Sequence, residues 1–319
     1  MPEDVSVIVT CYNEEDYIGD AIESVLAQTA FDAVSEVLVV DDGSSDGSAE
    51  VIGNYADAHP KVQYIHQQNQ GLPVTRNTGI RNSTGAYIAF LDGDDLWLKH
   101  KLGRQLAVVE TYPDVGIVYG DTYRFGQKKK QRRVYANHYD YEDENTLERF
   151  FASGGPIVPS TALVNKKCFQ SEGFFDPELR RAQDTDMWLR IVRAYPIQHI
   201  REPLAKRRIR EGSLGANYEK KSKFLWQVIE KAVERDPELK RLRYKREAKI
   251  RTNRARSCLR GGRRGKAIRV AFQAFLCHPT AQEVYVTLVL VFLPLQNERR
   301  QILLKMLQDV REWIRERVW

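Results

Sequence analysis

The run Tyr87-Ile88-Ala89-Phe90-Leu91 stops abruptly in Asp92-Gly93-Asp94-Asp95, three acids within four positions. A short apolar run of β-favouring residues is a buried parallel strand, covered on both faces. Helices must supply that cover, which restricts the chain to an α/β architecture. Open α/β sheets bind ligands where their strands end. Carboxylates crowded at such an edge repel one another, and a cation relieves the repulsion. Asp92 and Asp94, two apart, can share a hard divalent ion, which prefers oxygen ligands and takes phosphate oxygens in its remaining positions. The competing reading is an acidic turn ahead of a helix, because Asp also caps helices.

The preceding residues repeat the same rhythm. Val5 to Thr10 is a β-branched run and hence a strand. Ile18, Ile22, Val25 and Leu26 follow at helical spacing. Glu36 to Val40 is a second strand, stopped by Asp41-Asp42-Gly43-Ser44, and Ser45 or Asp46 can cap the helix after it. Val62 to His66 is a third strand, and Gly71-Leu72-Pro73 opens a helix through Arg76 and Asn77. Strands alternating with helices at this spacing imply a doubly wound, mostly parallel sheet with right-handed crossovers. The first strand is not followed by GxGxxG or GxxxxGK[ST]. A nucleotide bound here would have its phosphates held by metal and side chains rather than by a backbone cradle.

At 319 residues the chain can bury a large core. Its four cysteines, Cys11, Cys168, Cys258 and Cys277, are scattered without a CxxC pair. That argues against a disulfide scaffold or a zinc site and for a reducing compartment, the cytoplasm. No basic-then-apolar leader opens the sequence. The longest apolar stretch, Val284 to Leu295, falls short of the roughly 20 residues a bilayer span needs. Net charge is +6, but Lys240 to Arg269 carries 14 Lys or Arg against one acid, Glu247, so the rest of the chain is net acidic.

Four stretches, in order, carry a resemblance: Val5 to Glu14, Val40-Asp41-Asp42-Gly43-Ser44, Arg76-Asn77-Thr78-Gly79 and Asp92-Gly93-Asp94-Asp95. Together they resemble the motifs of family-2 glycosyltransferases of the GT-A fold. The resemblance implies a nucleotide-diphosphate-sugar donor, UDP-sugars favoured, a divalent Mn2+ or Mg2+ ion, and inversion at the anomeric carbon. It puts Thr10, Tyr12, Glu14, Asp42, Arg76, Asp92 and Asp94 in the donor site, with Asp42 accepting from the base imide and Tyr12 offering a flat face. Asp94 is the direct metal ligand and Asp92 faces the ribose or the metal. Asp95 is structural or helix-capping. Arg76 at a helix start opposes the helix dipole, so Asp42 or the donor should compensate it.

Further on, Val115 to Tyr119 and Ile157 to Val164 are strands, and Gln127 to Arg133 is a basic hairpin tip or an anionic-surface contact. Gln183-Asp184-Thr185-Asp186-Met187-Trp188 is similar to the family's acceptor motif, with Gln183 in place of the usual Glu. Asp184 then takes the general-base position, with Asp186 as its rival, and Trp188 lines the acceptor pocket or packs in the core. Lys206 to Ser213 resembles the family's closing element. Arg208 matches its Arg, and Arg210 stands where His is common. Arg cannot ligate a metal, but it can neutralise a leaving diphosphate.

The expected organisation is a GT-A catalytic domain over 1–215, with a donor half at 1–113 and an acceptor half at 114–215, followed by a helical, basic extension at 216–319. That extension is either an amphipathic appendage resting on an anionic membrane, with Trp313 and Trp319 as anchors, or a helical bundle with a charged face. It lacks the aromatic interleaving of a nucleic-acid module. The expected partners are the donor, a glycan or lipid-linked acceptor and a peripheral membrane contact, with no nucleic acid. Rival functions are a catalytically silent glycan- or membrane-binding module and a sugar nucleotidyltransferase. The latter needs the Gly-rich loop that is missing here.

Overall fold

A computed structural model describes residues 5–126, 129–136, 138–139, 143–144, 146–155, 157–210 and 218–292. Its first half follows the expected alternation: β1 (Val5–Cys11), α1 (Ile18–Leu26), β2 (Val34–Asp41), α2 (Ser48–Ala58), β3 (Val62–His66), α3 (Leu72–Asn82) and β4 (Tyr87–Asp92). These strands pair in parallel in the order β3-β2-β1-β4. Successive side chains on a strand face opposite ways. Val7, Val9, Ala89 and Leu91 therefore enter one apolar cluster with α1, while Ile8, Ile88 and Phe90 enter another on the far face. That double burial is why β1 and β4 are apolar at nearly every position.

After β4 come β5 (Leu96–Trp97), α4 (Lys101–Thr111), β6 (Ile117–Gly126), β7 (Lys129–Val134), α5 (Thr146–Ser153), β8 (Leu163–Asn165), α6 (Lys167–Glu172), α7 (Gln183–Ala194) and β9 (Ile197–Arg208). The sheet continues β4-β8-β6-β9-β5, with β7 on β6, and mixes directions. β8 is antiparallel to β4 and β6, whereas β6 and β9 run parallel.

One expectation is corrected here. The strand expected over Ile157 to Val164 is mostly a 3-10 turn, Pro159–Thr161, leaving β8 short. Pro159 has no N–H to give a ladder, and Ser160 is turned toward Asp95 instead. Lys129 to Arg133 form the returning strand of an antiparallel hairpin with β6, whose register closes at Gly126 and Lys129, while Gln127 and Lys128 lie outside the described residues. β9 and β5 were not foreseen; β9 is studded with Arg, Lys and Glu because it ends at the cleft.

The C-terminal part is helical, as expected: α8 (Tyr218–Arg235), α9 (Arg243–Arg260), α10 (Arg264–Cys277) and α11 (Gln282–Phe292). Leu225, Val228 and Ile229 of α8 and Ile250 of α9 join the same apolar cluster as Phe90 and Trp188. In α11, Val284 and Val291 are buried against α9 and α10, while Tyr285 and Val289 on the same helix are exposed. Among the described residues no helix is long and apolar enough to cross a membrane. Gln127, Lys128, Glu211 to Ser213, Leu293 to Leu295, Trp313 and Trp319 lie outside the described residues.

Candidate active site

The parallel register sets Thr10 beside Asp92 on one neighbour and Cys11 beside Asp41 on the other, so the motif residues gather along one sheet edge. Gly93 lets the acidic loop fold back onto β1. Its N–H donates to the Thr10 carbonyl at 2.9 Å. A Cβ there would lie 2.3 Å from a Glu14 carboxylate oxygen.

Each acid of that loop has its own partner. Asp92 Oδ1 accepts from Arg76 Nη2 at 2.7 Å. This corrects the expectation that Asp42 compensates Arg76: the buried guanidinium turns toward β4. Asp94 Oδ2 accepts from Arg210 Nε at 2.7 Å, and the other arm of Arg210 donates to Glu14. Asp95 is no helix cap, for a strand follows it. It is buried, held by the Ser160 hydroxyl at 2.7 Å and the Arg208 N–H at 2.9 Å. Arg208 itself donates to the Asp94 carbonyl at 3.0 Å and lies against the rings of Tyr17 and Phe125.

The acids remain under-neutralised. Burial and the charge of Asp94 push the Glu14 carboxyl up to about 9 despite Arg210. Burial, then Asp92, raises Asp94, and burial with Asp92 and Asp94 raises Asp95. Two hard oxygen donors in a carboxylate excess fit a divalent cation. Among the described residues no three His, Cys, Asp or Glu side chains converge as a coordination sphere. A divalent cation at Asp94 and Asp92 would need further oxygens from a ligand.

At the nucleotide end, Thr10 is buried and Tyr12 is 49% exposed. Asp42 is engaged inside the protein. It accepts from Gln67 Nε2 at 2.7 Å, Gln70 N at 2.9 Å and Gly71 N at 2.8 Å, which fixes the loop between β3 and α3.

Asp184 and Asp186 part ways on the first turn of α7. Two positions on a helix are about 200° apart. Asp186 is buried and clamped by Arg190 at 3.0 Å and by Arg235 of α8 at 2.8 Å. Asp184 lines the cleft. Burial raises its pKa, but Lys221, Arg76, the Thr185 N–H and Arg207 together hold it below the usual carboxylate range. Trp188 is fully buried, donating to the Ile157 carbonyl, and does not line the cleft. Gln183 does, with a buried Oε1 that has no partner among the described residues.

One continuous cleft of about 2380 Å³ is lined by Thr10, Tyr12, Glu14, Asp42, Arg76, Asp92, Asp94, Asp184, Arg208 and Arg210. It brings every candidate together. It also adds residues the sequence did not single out: Arg207, Lys221 and Arg246, and the buried pair Asp121 and His199 at 3.0 Å. Arg207 sits inside a basic run whose neighbour was noticed. Lys221 and Arg246 come from helices far along the chain and give no local signal.

The comparisons with known proteins bear on the family and the fold. A Rickettsia felis protein named an uncharacterized glycosyltransferase is 32% identical over 209 residues, 66% of this chain and 33% of that one. The chain thus spans a third of that relative's length. Two solved structures share the fold. Staphylococcus aureus TarS in complex with UDP-GlcNAc has a TM-score of 0.63 at 17% identity, covering 90% of each chain. The mannosyltransferase PcManGT from Pyrobaculum calidifontis, in complex with GDP-Man and Mn2+, has a TM-score of 0.63 at 19% identity, covering 95% of this chain and 84% of that one. The family model for glycosyl transferase family 2 matches residues 6–170, just over half of the sequence and the whole sheet edge that carries the acids, and so the chain belongs to glycosyl transferase family 2.

Proposed function

We propose that this protein is an inverting glycosyltransferase of cell-envelope polysaccharide synthesis. It moves a sugar from a nucleoside-diphosphate donor, a UDP-sugar by preference, onto a hydroxyl of a glycan or lipid-linked acceptor. What carries the reading is the sharing of cations between two groups of acids. Arg76 pairs with Asp92 and is also felt by Asp184, while Arg207 acts on both Asp94 and Asp184. The deprotonating carboxylate and the diphosphate-binding acids therefore belong to one site.

The donor's base lies against Tyr12 near Asp42, and its diphosphate meets Arg210, Asp94 and Asp92. TarS bound to UDP-GlcNAc and PcManGT bound to GDP-Man and Mn2+ support a nucleotide-sugar donor and a divalent ion. Asp94 and Asp92 would hold that ion, Mn2+ or Mg2+, which supplies charge neutralisation at the diphosphate. Asp184 takes the acceptor hydroxyl proton as that oxygen forms its bond to C1. The C1–O bond to the diphosphate breaks on the opposite face, inverting the centre. Arg210 meets the negative charge that develops on the leaving group, where an oriented cation is most effective.

The test is transfer from a panel of UDP-sugars by the purified chain. Asp184→Asn lowers kcat by about 10²–10⁴-fold and leaves UDP binding intact. Asp94→Ala loses both turnover and metal-dependent UDP binding. An Asp184→Asn protein that keeps wild-type turnover, or a wild-type protein whose melting temperature UDP does not raise, overturns the proposal.

A further inference from the structure

The donor end of the cleft is acidic, but its other end is not. Arg246 of α9 is only 4% exposed and still lines the cleft. It packs against Gly154, where an added Cβ would lie 1.9 Å from its Nη1 and where φ is +96°. No described carboxylate lies within ion-pair distance of Arg246. The same holds for Lys221 of α8 and Arg207 of β9, which line the cleft too. Arg76, 1% exposed, spends one nitrogen on Asp92 and leaves Nε and Nη1 buried without partners. Among the other cleft cations, Arg133 pairs with Asp121, Arg149 with Asp143 and Lys249 with Glu283, Arg201 donates to His138, and Arg180, Arg181 and Lys245 line the cleft as well.

Among the described residues, Arg76, Lys221, Arg207 and Arg246 line the same cleft as Asp184. Lys221, Arg76 and Arg207 lower its pKa, and Arg246 senses it electrostatically. Proteins do not bury guanidinium groups without an anionic or strongly accepting partner. Here the cations outnumber the partner, and the excess opens into the cleft rather than into the core. The cations that act most on Asp94 are Arg210 and Arg207, whereas Lys221 leads at Asp184.

We propose that Arg246, Lys221 and Arg207 form a binding site for a phosphoryl group of the acceptor, next to the general base. The inference rests on the reading of Asp184 as that base. Guanidinium forks match phosphate oxygens in bidentate fashion, and a nearby ammonium adds a point charge. The anion would sit within the field of Asp184 and hold the acceptor's hydroxyl beside it. Two of the three cations come from the C-terminal helices, so those helices complete the acceptor site. A diphosphate linking a sugar to a lipid and a phosphodiester of a polymeric acceptor share this chemistry.

The experiment is isothermal titration of the full chain with inorganic pyrophosphate after saturation with UDP, which occupies the donor diphosphate position. Wild-type protein binds a further equivalent of pyrophosphate, and added salt weakens it. Arg246→Gln and Lys221→Gln each weaken it about tenfold while UDP affinity holds. Asp184→Asn tightens it severalfold by removing the repelling carboxylate, although it slows transfer. Lys221 is half-exposed, so its variant stays informative if Arg246→Gln fails to fold. Pyrophosphate that binds only in competition with UDP, or equal affinity in Lys221→Gln, overturns the site. Loss of UDP binding in the wild type overturns the donor reading instead. Polyprenyl diphosphate in micelles and a glycerol-phosphate oligomer, tried in place of pyrophosphate, identify which source of phosphate is held.

Discussion

As the proposed base, Asp184 is unusual in that its surroundings keep it ionised. A free Asp has a pKa of about 3.9. Burial alone would raise it, yet Lys221, Arg76, the Thr185 N–H and Arg207 bring it below that range. A group with a depressed pKa is charged at every ordinary pH and loses its charge only as pH falls through the depressed value. The acid limb of kcat/KM is therefore expected below about pH 3.9, out of reach of ordinary assays. Lys221→Gln removes the first cation and shifts that limb upward. A pH–rate profile with a limb near 6 in the wild type would contradict this electrostatic account. At the same scale, Arg210 takes the place that the family resemblance gives to His. It ties Asp94 to Glu14, two acids that burial and mutual repulsion otherwise push toward protonation.

Between elements, the decisive contact is the clamp beneath the cleft. Asp186 of α7 binds Arg190 on its own helix and Arg235 on α8, with both oxygens occupied and the carboxylate 1% exposed. Lys231 of α8 adds a bond to Asp176. Breaking a buried pair by removing one partner leaves uncompensated charge and costs about 3–5 kcal/mol. Asp186→Asn should lower unfolding stability by that order, seen in urea titration, with UDP affinity little changed in the protein that remains folded. An unchanged midpoint would show that the clamp contributes nothing. This contrast also separates the two acids of the motif: loss of Asp184 strikes turnover, and loss of Asp186 strikes stability. Glu219 makes a similar tie farther out, holding α8 to Arg254 and Arg263.

Across the whole molecule, the sheet and the C-terminal helices share one core. Leu225, Val228, Ile229, Leu239, Leu242 and Ile250 are all buried in the cluster that contains Phe90 and Trp188. At roughly 1.5–3 kcal/mol for each such side chain, their loss is on the scale of the whole stability of a domain, about 5–15 kcal/mol. A chain ending at Arg210 is therefore expected to be insoluble or molten and to show no UDP-induced rise in melting temperature. A soluble, UDP-binding truncate would refute this. The parallel half of the sheet was legible because each of its strands is an unbroken apolar run and its helices carry 3.6-residue spacing. β9 escaped notice because it alternates and carries charges that end at the cleft. The short β8 was overcalled because the sequence around it is β-favouring, while Pro159 and the Ser160 bond to Asp95 turn the backbone away.

The sequence by itself determined the alternating strands and helices, the acidic loop after β4 and the ordered motifs of the family. Each of these is a local pattern, written in a few consecutive residues. The tertiary structure alone decided that Asp184 faces the cleft and Asp186 the core, that Arg76 turns to Asp92, and that Arg246 reaches the cleft from α9. These outcomes depend on which face of a helix meets which distant surface. Burial and Coulomb forces act through space between residues far apart in the chain, and one-dimensional spacing does not record them.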